Sequence, residues 1–185
     1  MRLIALILAA LIASVPARAQ TWQEYTYPQY AFAVSFPAEP KVETAAYQTA
    51  DGTSVDAQIY SLAQGTSVLR MTIADLSSLK TDETAVIDHA IKALSQRGEV
   101  TVDIQHRISR VYGRQLSIAG ADGSHSSVAV FYYRQRLYQI EGVALPNGED
   151  ATANAIRFQQ SLIFTDGLSN RTPVGRVFEV LGRLF

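Results

Sequence analysis

The sequence predicts an α+β domain, in which a largely antiparallel β-sheet is covered by two amphipathic helices. Short runs of alternating side chains predict strands, and turns of only a few residues, rich in Gly and Asp, separate them. Two other stretches repeat apolar residues at helical spacing. Because tight turns join antiparallel neighbours, the order strands, helix, strands, helix indicates a layered antiparallel architecture.

The first 19 residues are expected to be a signal peptide rather than part of the fold. Arg2 precedes an uncharged apolar run at 3–15, and Ala17-Arg18-Ala19 supplies the small residues that a signal peptidase recognises. The apolar run is shorter than the about 20 residues that a membrane span needs. We therefore expect cleavage before Gln20 and a mature protein that is periplasmic or secreted.

Removal of residues 1–19 would leave 166 residues with a formal charge of −3, because the full chain carries −1 and loses Arg2 and Arg18. We expect one domain at 20–164, followed by a C-terminal tail at 165–185. A chain of that size can bury a core without disulfides, and the sequence has no Cys. The missing Cys excludes thiol catalysis and Cys-ligated metals, and the negative charge argues against binding nucleic acid.

The stretch 30–36 alternates large and small side chains and predicts the first strand. Tyr30, Phe32, Val34 and Phe36 are expected on one face, with Ala and Ser on the other. The small side chains suit a helix packed closely against them. Pro37 and Pro40 cannot donate ladder hydrogen bonds, so we expect this strand to end at a sheet edge.

The remaining elements follow from periodicity and turn residues. A helix is predicted from Thr81 or Asp82 until Gly98 ends it at the C′ position, and a second helix follows Asp150 and runs through Leu162. Gly142 inside the last strand indicates either a bulge or a helix lying close above it. Strands are predicted at 42–49, 55–61, 69–73, 100–104, 115–119, 128–132 and 137–143.

The tail ends in a short amphipathic segment at 174–185. Its apolar residues share one helical face, whereas Arg176 and Arg183 lie off that face. A helix of about 12 residues is marginal alone in water, so we expect this face to contact a partner groove, an anionic membrane or the flank of its own domain. The residues predicted to make that contact are Val177, Phe178, Leu181 and Phe185.

Four phrases together resemble the PsbP-like superfamily, which includes photosystem accessory proteins and periplasmic DcrB-like proteins. They are Trp22-x-x-Tyr25, Tyr30-x-Phe-x-Val-x-Phe-Pro37, Tyr112-Gly-Arg-Gln-Leu116 and Arg157-Phe-Gln-Gln-Ser161. The combination is also similar to small secreted proteins of alphaproteobacterial type. The resemblance covers 22–164 and implies an α/β/α sandwich with a non-catalytic accessory or binding role. It transfers no site residue, cofactor or metal.

Asp122, Ser124 and His125 bring the three residue types of a hydrolase triad within four positions. A triad needs these side chains to converge, but neighbours in a tight turn point in different directions, and the sequence has no Gly-x-Ser-x-Gly elbow. A polar hairpin turn is therefore favoured over a catalytic site. We keep a hydrolase with its site at 122–125 as an alternative.

Other polar residues give no clear binding pattern. His89, His106 and His125 lack the close spacing of metal ligands, so no metal site is predicted. Tyrosines alternate with arginines at 107–114 and 132–138, an arrangement that can bind a glycan or nucleic acid but also suits strands and a hairpin tip.

The favoured function is a non-catalytic secreted or periplasmic domain that binds another protein or an envelope component, without a cofactor. The alternatives are the hydrolase and a peripheral membrane protein held by the tail.

Overall fold

The computed structural model describes residues 21–165. The predicted signal peptide at 1–19 and the predicted tail contacts at 174–185 lie outside these residues. A short 3-10 turn spans Pro28–Tyr30. The strands and helices of the described part are β1 (Gln23–Tyr27), β2 (Phe32–Phe36), β3 (Lys41–Gln48), β4 (Ser54–Gln64), β5 (Ser67–Asp75), α1 (Glu83–Ser95), β6 (Glu99–Ile108), β7 (Val111–Ala119), β8 (His125–Tyr133), β9 (Arg136–Ala144), α2 (Ala151–Gln159) and β10 (Ile163–Phe164).

Seven strands form one antiparallel sheet in the order β3-β4-β5-β9-β8-β7-β6. Tight turns connect most neighbours, as the sequence predicts; at the β8–β9 turn Arg134 and Gln135 both have positive φ, the backbone of a two-residue hairpin. The prediction of a largely antiparallel α+β fold with two helices is confirmed. No helix among residues 21–165 has the length and apolar character to cross a bilayer.

A second sheet, β1-β2-β10, was not predicted. The edge position expected for the stretch 30–36 is wrong, because β2 pairs with β1 on one side and with β10 on the other. Pro37 lies just past the strand and takes no ladder position. Tyr30 belongs to the 3-10 turn, and Ala31 has a left-handed backbone (φ 55°), so the regular alternation begins only at Phe32.

The two faces of the large sheet carry separate cores. On one face, Val86, Ala90 and Leu94 of α1 pack with Leu116 and Leu137. On the other face, α2 and the small sheet together form an aromatic-rich core that contains Phe32, Phe36, Phe131, Tyr138, Phe158 and Phe164. The second layer on this face is therefore part helix and part sheet, whereas the sequence predicted a helix alone.

Gly142 and Gly98 are needed because neighbouring backbone lies very close to them. A Cβ at Gly142 would lie 2.5 Å from the Cα of Ala155, so the close-helix alternative is correct and α2 is that helix. A Cβ at Gly98 would lie 2.8 Å from the carbonyl carbon of Ala119 in β7. The prediction that Gly98 occupies the C′ position of α1 is wrong, since the helix ends with Gln96 as its C-cap and Gly98 has no positive φ.

Candidate functional site

The turn at 122–125 holds Ser124 on Asp122 rather than on His125. The backbone amide and the hydroxyl of Ser124 both donate to Oδ1 of Asp122, at 3.0 and 2.6 Å. These two bonds lower the pKa of the Asp122 carboxyl below its usual value. His125 is exposed and begins β8, paired with Ala119 and Ala144. In a hydrolase triad the serine bonds the imidazole, so the geometry is that of a capped turn and the three residues do not form the predicted alternative site.

Replacing Ser124 with Ala should raise the pKa of Asp122 towards its usual value, because the hydroxyl donor is the largest cause of the shift. Carboxyl NMR titration of both proteins measures this change. The matched control is His125→Ala, which should leave the pKa of Asp122 unaltered. An equal change in the control would reveal coupling between His125 and Asp122 and would restore the hydrolase alternative.

The three histidines lie on different elements. His89 on α1 has its Nε2 at 3.0 Å from the carbonyl of Gln48, and His106 on β6 lies against the ring of Phe131. Partial burial lowers the pKa of His106. Within residues 21–165, no three His, Asp or Glu side chains lie close enough together to hold a metal ion.

The tyrosine and arginine residues do not form one surface. Tyr138 lies in the core, where its hydroxyl donates to the carbonyl of Tyr30 at 2.8 Å. Arg114 pairs with Asp103 and Arg136 with Asp75. The alternation of tyrosine and arginine in the sequence therefore reflects strand formation and separate ion pairs. It does not reflect a shared binding surface.

A half-enclosed pocket lies where the β3–β4 turn meets the start of α1. We call it the hairpin pocket; it has a volume of about 140 Å³, and its lining includes Tyr47, Leu76, Lys80, Asp82, Ala85 and His89. The turn is fixed by Thr49, whose hydroxyl donates to the carbonyl of Thr53 at 2.8 Å. The pocket has an apolar interior from Tyr47, Leu76 and Ala85. Its charged groups come from the β3–β4 turn and from the segment before α1.

Tyr47 gives the hairpin pocket an unsatisfied polar group. Its hydroxyl is buried without a hydrogen-bond partner in the structure, and burial raises its pKa. Its ring meets His89 edge-on, with 6.3 Å between ring centroids. A buried hydroxyl without a partner costs free energy, so a bound group that offers a hydrogen bond would gain affinity here.

A second concave region lies at the opposite end of α1. We call it the Glu141 groove; it has a volume of about 340 Å³, and its lining includes Arg97, Gly120, Asp122, Ser124, Ser126 and Glu141. Glu141 sits on β9 with only 2% of its side chain exposed. Arg97 donates to its Oε1 at 2.6 Å, and Arg70 on β5 lies 3.8 Å from its Oε2.

Neither the hairpin pocket nor the Glu141 groove was predicted from the sequence, because each combines side chains that are distant along the chain. One signal was available for the groove. Glu141 is a charged residue inside the apolar stretch 137–144, and charged residues are seldom fully buried without a partner. The partners Arg70 and Arg97 could not be assigned without the strand order.

Comparison with known proteins gives a likeness in structure only. No family model matches the sequence, and no curated protein matches it. The cyanobacterial PsbP (CyanoP) of Synechocystis sp. PCC 6803 superposes with a TM-score of 0.52 at 16% identity, over 83% of this chain and 98% of that one. A Pseudomonas aeruginosa protein of unknown function gives a TM-score of 0.38 at 10% identity, over 74% and 94% of the two chains.

Of the two structures, only CyanoP superposes well enough to support an argument, and at 16% identity its likeness concerns the fold alone. It agrees with the resemblance seen in the sequence motifs and with the antiparallel sheet and two helices. The described part of this chain therefore has a PsbP-like fold.

Proposed function

We propose that this protein is a non-catalytic accessory domain of the bacterial envelope, which binds a protein partner by accepting one apolar side chain in the hairpin pocket. The observation that carries the proposal is the pocket itself, with its apolar interior, charged surroundings and unsatisfied Tyr47 hydroxyl. The PsbP-like fold and the predicted signal peptide at 1–19 support an accessory role in the periplasm or outside the cell. A DcrB-like relationship would be consistent with this role.

The volume of the pocket favours a side chain over a cofactor. Small-molecule and cofactor sites usually enclose about 300–1,000 Å³. A dry apolar cavity of about 150 Å³ holds benzene, which has the size of a Phe ring. The hairpin pocket, at about 140 Å³, therefore suits a single aromatic or branched aliphatic side chain of a partner.

The surrounding polar groups suit a peptide main chain beside such an anchor. Lys80 carries a positive charge, and Asp51 and Asp82 carry negative charges, so the charges around the pocket largely offset one another and do not select a strongly charged ligand. Apolar anchors in small desolvated pockets surrounded by polar groups are the usual centres of protein interfaces.

The experiment fills the pocket by replacing Ala85, an exposed residue on α1 that lines it, with Trp. The matched control is Ala153→Trp, which changes an exposed Ala on α2 outside the lining. Peptides of 12 random residues are first selected by display against the chain from Gln20 onward. Their dissociation constants are then measured by fluorescence anisotropy with all three proteins.

We expect Ala85→Trp to weaken selected peptides by about tenfold or more, which corresponds to about 1.4 kcal/mol, and Ala153→Trp to change them by less than about twofold. Replacing one aromatic or aliphatic residue of the peptide with Ala should have a similar effect. Peptides that bind the Ala85→Trp protein as tightly as the unmodified chain would refute the proposal, as would failure to select any binding peptide.

A further inference from the structure

The aromatic-rich face of the large sheet has a second layer over only part of its width. The small sheet lies over β4 and β9, where Phe32 meets Tyr60 and Tyr138. The helix α2 packs over β9 and also contacts β5 and β8. Within residues 21–165, neither of these elements packs extensively on β6 or β7. The half of this face formed by β6 and β7 is therefore left open.

Two large apolar side chains of β6 are exposed on this half of the sheet. Val102 and Ile104 are 39% and 51% exposed. They share a face with His106, whose ring meets Phe131 of the aromatic-rich core. The surface that we call the open face consists of Val102, Ile104, and their partners on β7, Ser117 and Gln115. Because β6 is also an edge strand, a stable protein is expected to cover such an apolar surface.

The side of α2 next to the open face also has unmet contacts. Phe158 meets Phe36 of the small sheet, so Ile156, two positions earlier, points away from that sheet and is 40% exposed. Gln159 lies on the same side of the helix and is buried, yet neither polar atom of its amide has a hydrogen-bond partner. Buried polar groups are rarely left unpaired. A further segment beside α2 would account for both observations.

We propose that the chain's own residues 174–185 dock on the open face as a third helix. The described part of the chain ends at Thr165, directly after β10. Here β10 lies over β8, where Phe164 meets Phe131 and Tyr133. The following residues therefore start two strands away from β6, a separation of about 10 Å.

The lengths of the segments fit this arrangement. Phe131 pairs with Gly113 of β7, so the chain leaves β10 towards the end of the sheet that carries the β6–β7 turn. Residues 166–173 can span up to about 26 Å when extended, which is ample for the crossing. A helix over 174–185 would be about 18 Å long. The stretch of β6 from Val102 to Ile108 is about 20 Å long, so the helix would cover it.

The sequence of the segment suits this surface better than free solvent. Its apolar residues share one helical face, and a helix of this length gains most of its stability from packing that face. Because the segment is tethered beside the open face, its effective concentration there is on the order of millimolar. A second copy of the chain or another protein would have to compete with that concentration. The tether therefore favours the chain's own segment as the occupant.

The test attaches a nitroxide spin label to the segment and follows the amide NMR signals of the ¹⁵N-labelled chain from Gln20 onward. The chain has no Cys, so Arg183→Cys, which lies off the apolar face, supplies a single attachment point. We expect strong broadening of the amides at 102–106 on β6 and none on β3, the strand at the opposite edge of the sheet. A second sample mixes the spin-labelled chain without ¹⁵N with the unmodified ¹⁵N chain, and we expect no broadening there.

Variants on both sides of the contact give the matched comparison. Phe178→Asp combined with Leu181→Asp should abolish most of the broadening on β6, because the interface would have to bury unpaired charges. Val102→Asp combined with Ile104→Asp should have the same effect. The control is Val42→Asp, which changes a valine that is 54% exposed on β3 and should leave the broadening on β6 intact. The amide spectrum of each variant also reports whether the domain remains folded.

Each remaining occupant gives a different result. Broadening in the mixed sample would assign the open face to a second copy of the chain. Loss of the broadening on β6 after addition of phosphatidylglycerol vesicles would assign the segment to a membrane. Either result, broadening centred on another surface, or unchanged broadening in the variant with Val102→Asp and Ile104→Asp would overturn the proposal.

Discussion

Replacing Phe32 with Ala is expected to lower the free energy of unfolding by about 3–5 kcal/mol, the usual cost of truncating a buried Phe. The Phe32 side chain is fully buried, and its ring meets Tyr27, Tyr60 and Tyr138. These neighbours belong to the small sheet and to two interior strands of the large sheet, β4 and β9. The substitution should therefore loosen the contact between the two sheets, since the strands around the cavity cannot close it completely.

Denaturant unfolding of both proteins measures the loss. The matched control is Tyr112→Ala, which truncates an aromatic residue that is 60% exposed and should change the free energy of unfolding by less than about 1 kcal/mol. Equal stability of Phe32→Ala and the unmodified protein would show that the ring of Phe32 does not contribute to the core.

Replacing Gly142 with Ala is expected to lower the free energy of unfolding by about 1–3 kcal/mol, the usual range for overpacking. In an ordinary strand the same change would be favourable by about 0.5–1 kcal/mol, because Gly loses more backbone entropy on folding. Here the added methyl group would overlap backbone atoms of Ala155, so α2 must move away from β9. A loss of stability would therefore indicate close packing of the helix. A gain would indicate that position 142 has room for a side chain.

Thermal and denaturant unfolding of Gly142→Ala measure this effect. The control is Ser127→Ala, which places Ala at the directly paired position on β8, where the side chain is only half-buried. We expect it to alter stability much less than Gly142→Ala does. An increase in stability for Gly142→Ala would contradict the packing of α2 described above.

The local pattern of the sequence was sufficient for most secondary structure. Alternation and turn residues predict the hairpins of the large sheet, since both depend on neighbours along the chain. They also predict α1 from the repeat of Ile87, Ala90 and Leu94. Boundaries were less accurate; β7, for example, begins at Val111 rather than at 115. Strand ends depend on pairing with a neighbouring strand, which local periodicity does not contain.

The sequence by itself determined the hairpins of the large sheet and the position of α1, and it marked Gly142 as the place of either a bulge or a close helix. Only the tertiary structure decided that β2 is the centre of a second sheet, because its partner β10 lies about 130 residues away and is only two residues long. The same holds for both candidate sites. Tyr47 meets His89, and Glu141 meets Arg70 and Arg97, across separations that are set by sheet order and helix packing. Such contacts leave no periodic signal in the chain, so local sequence patterns do not predict the two sites.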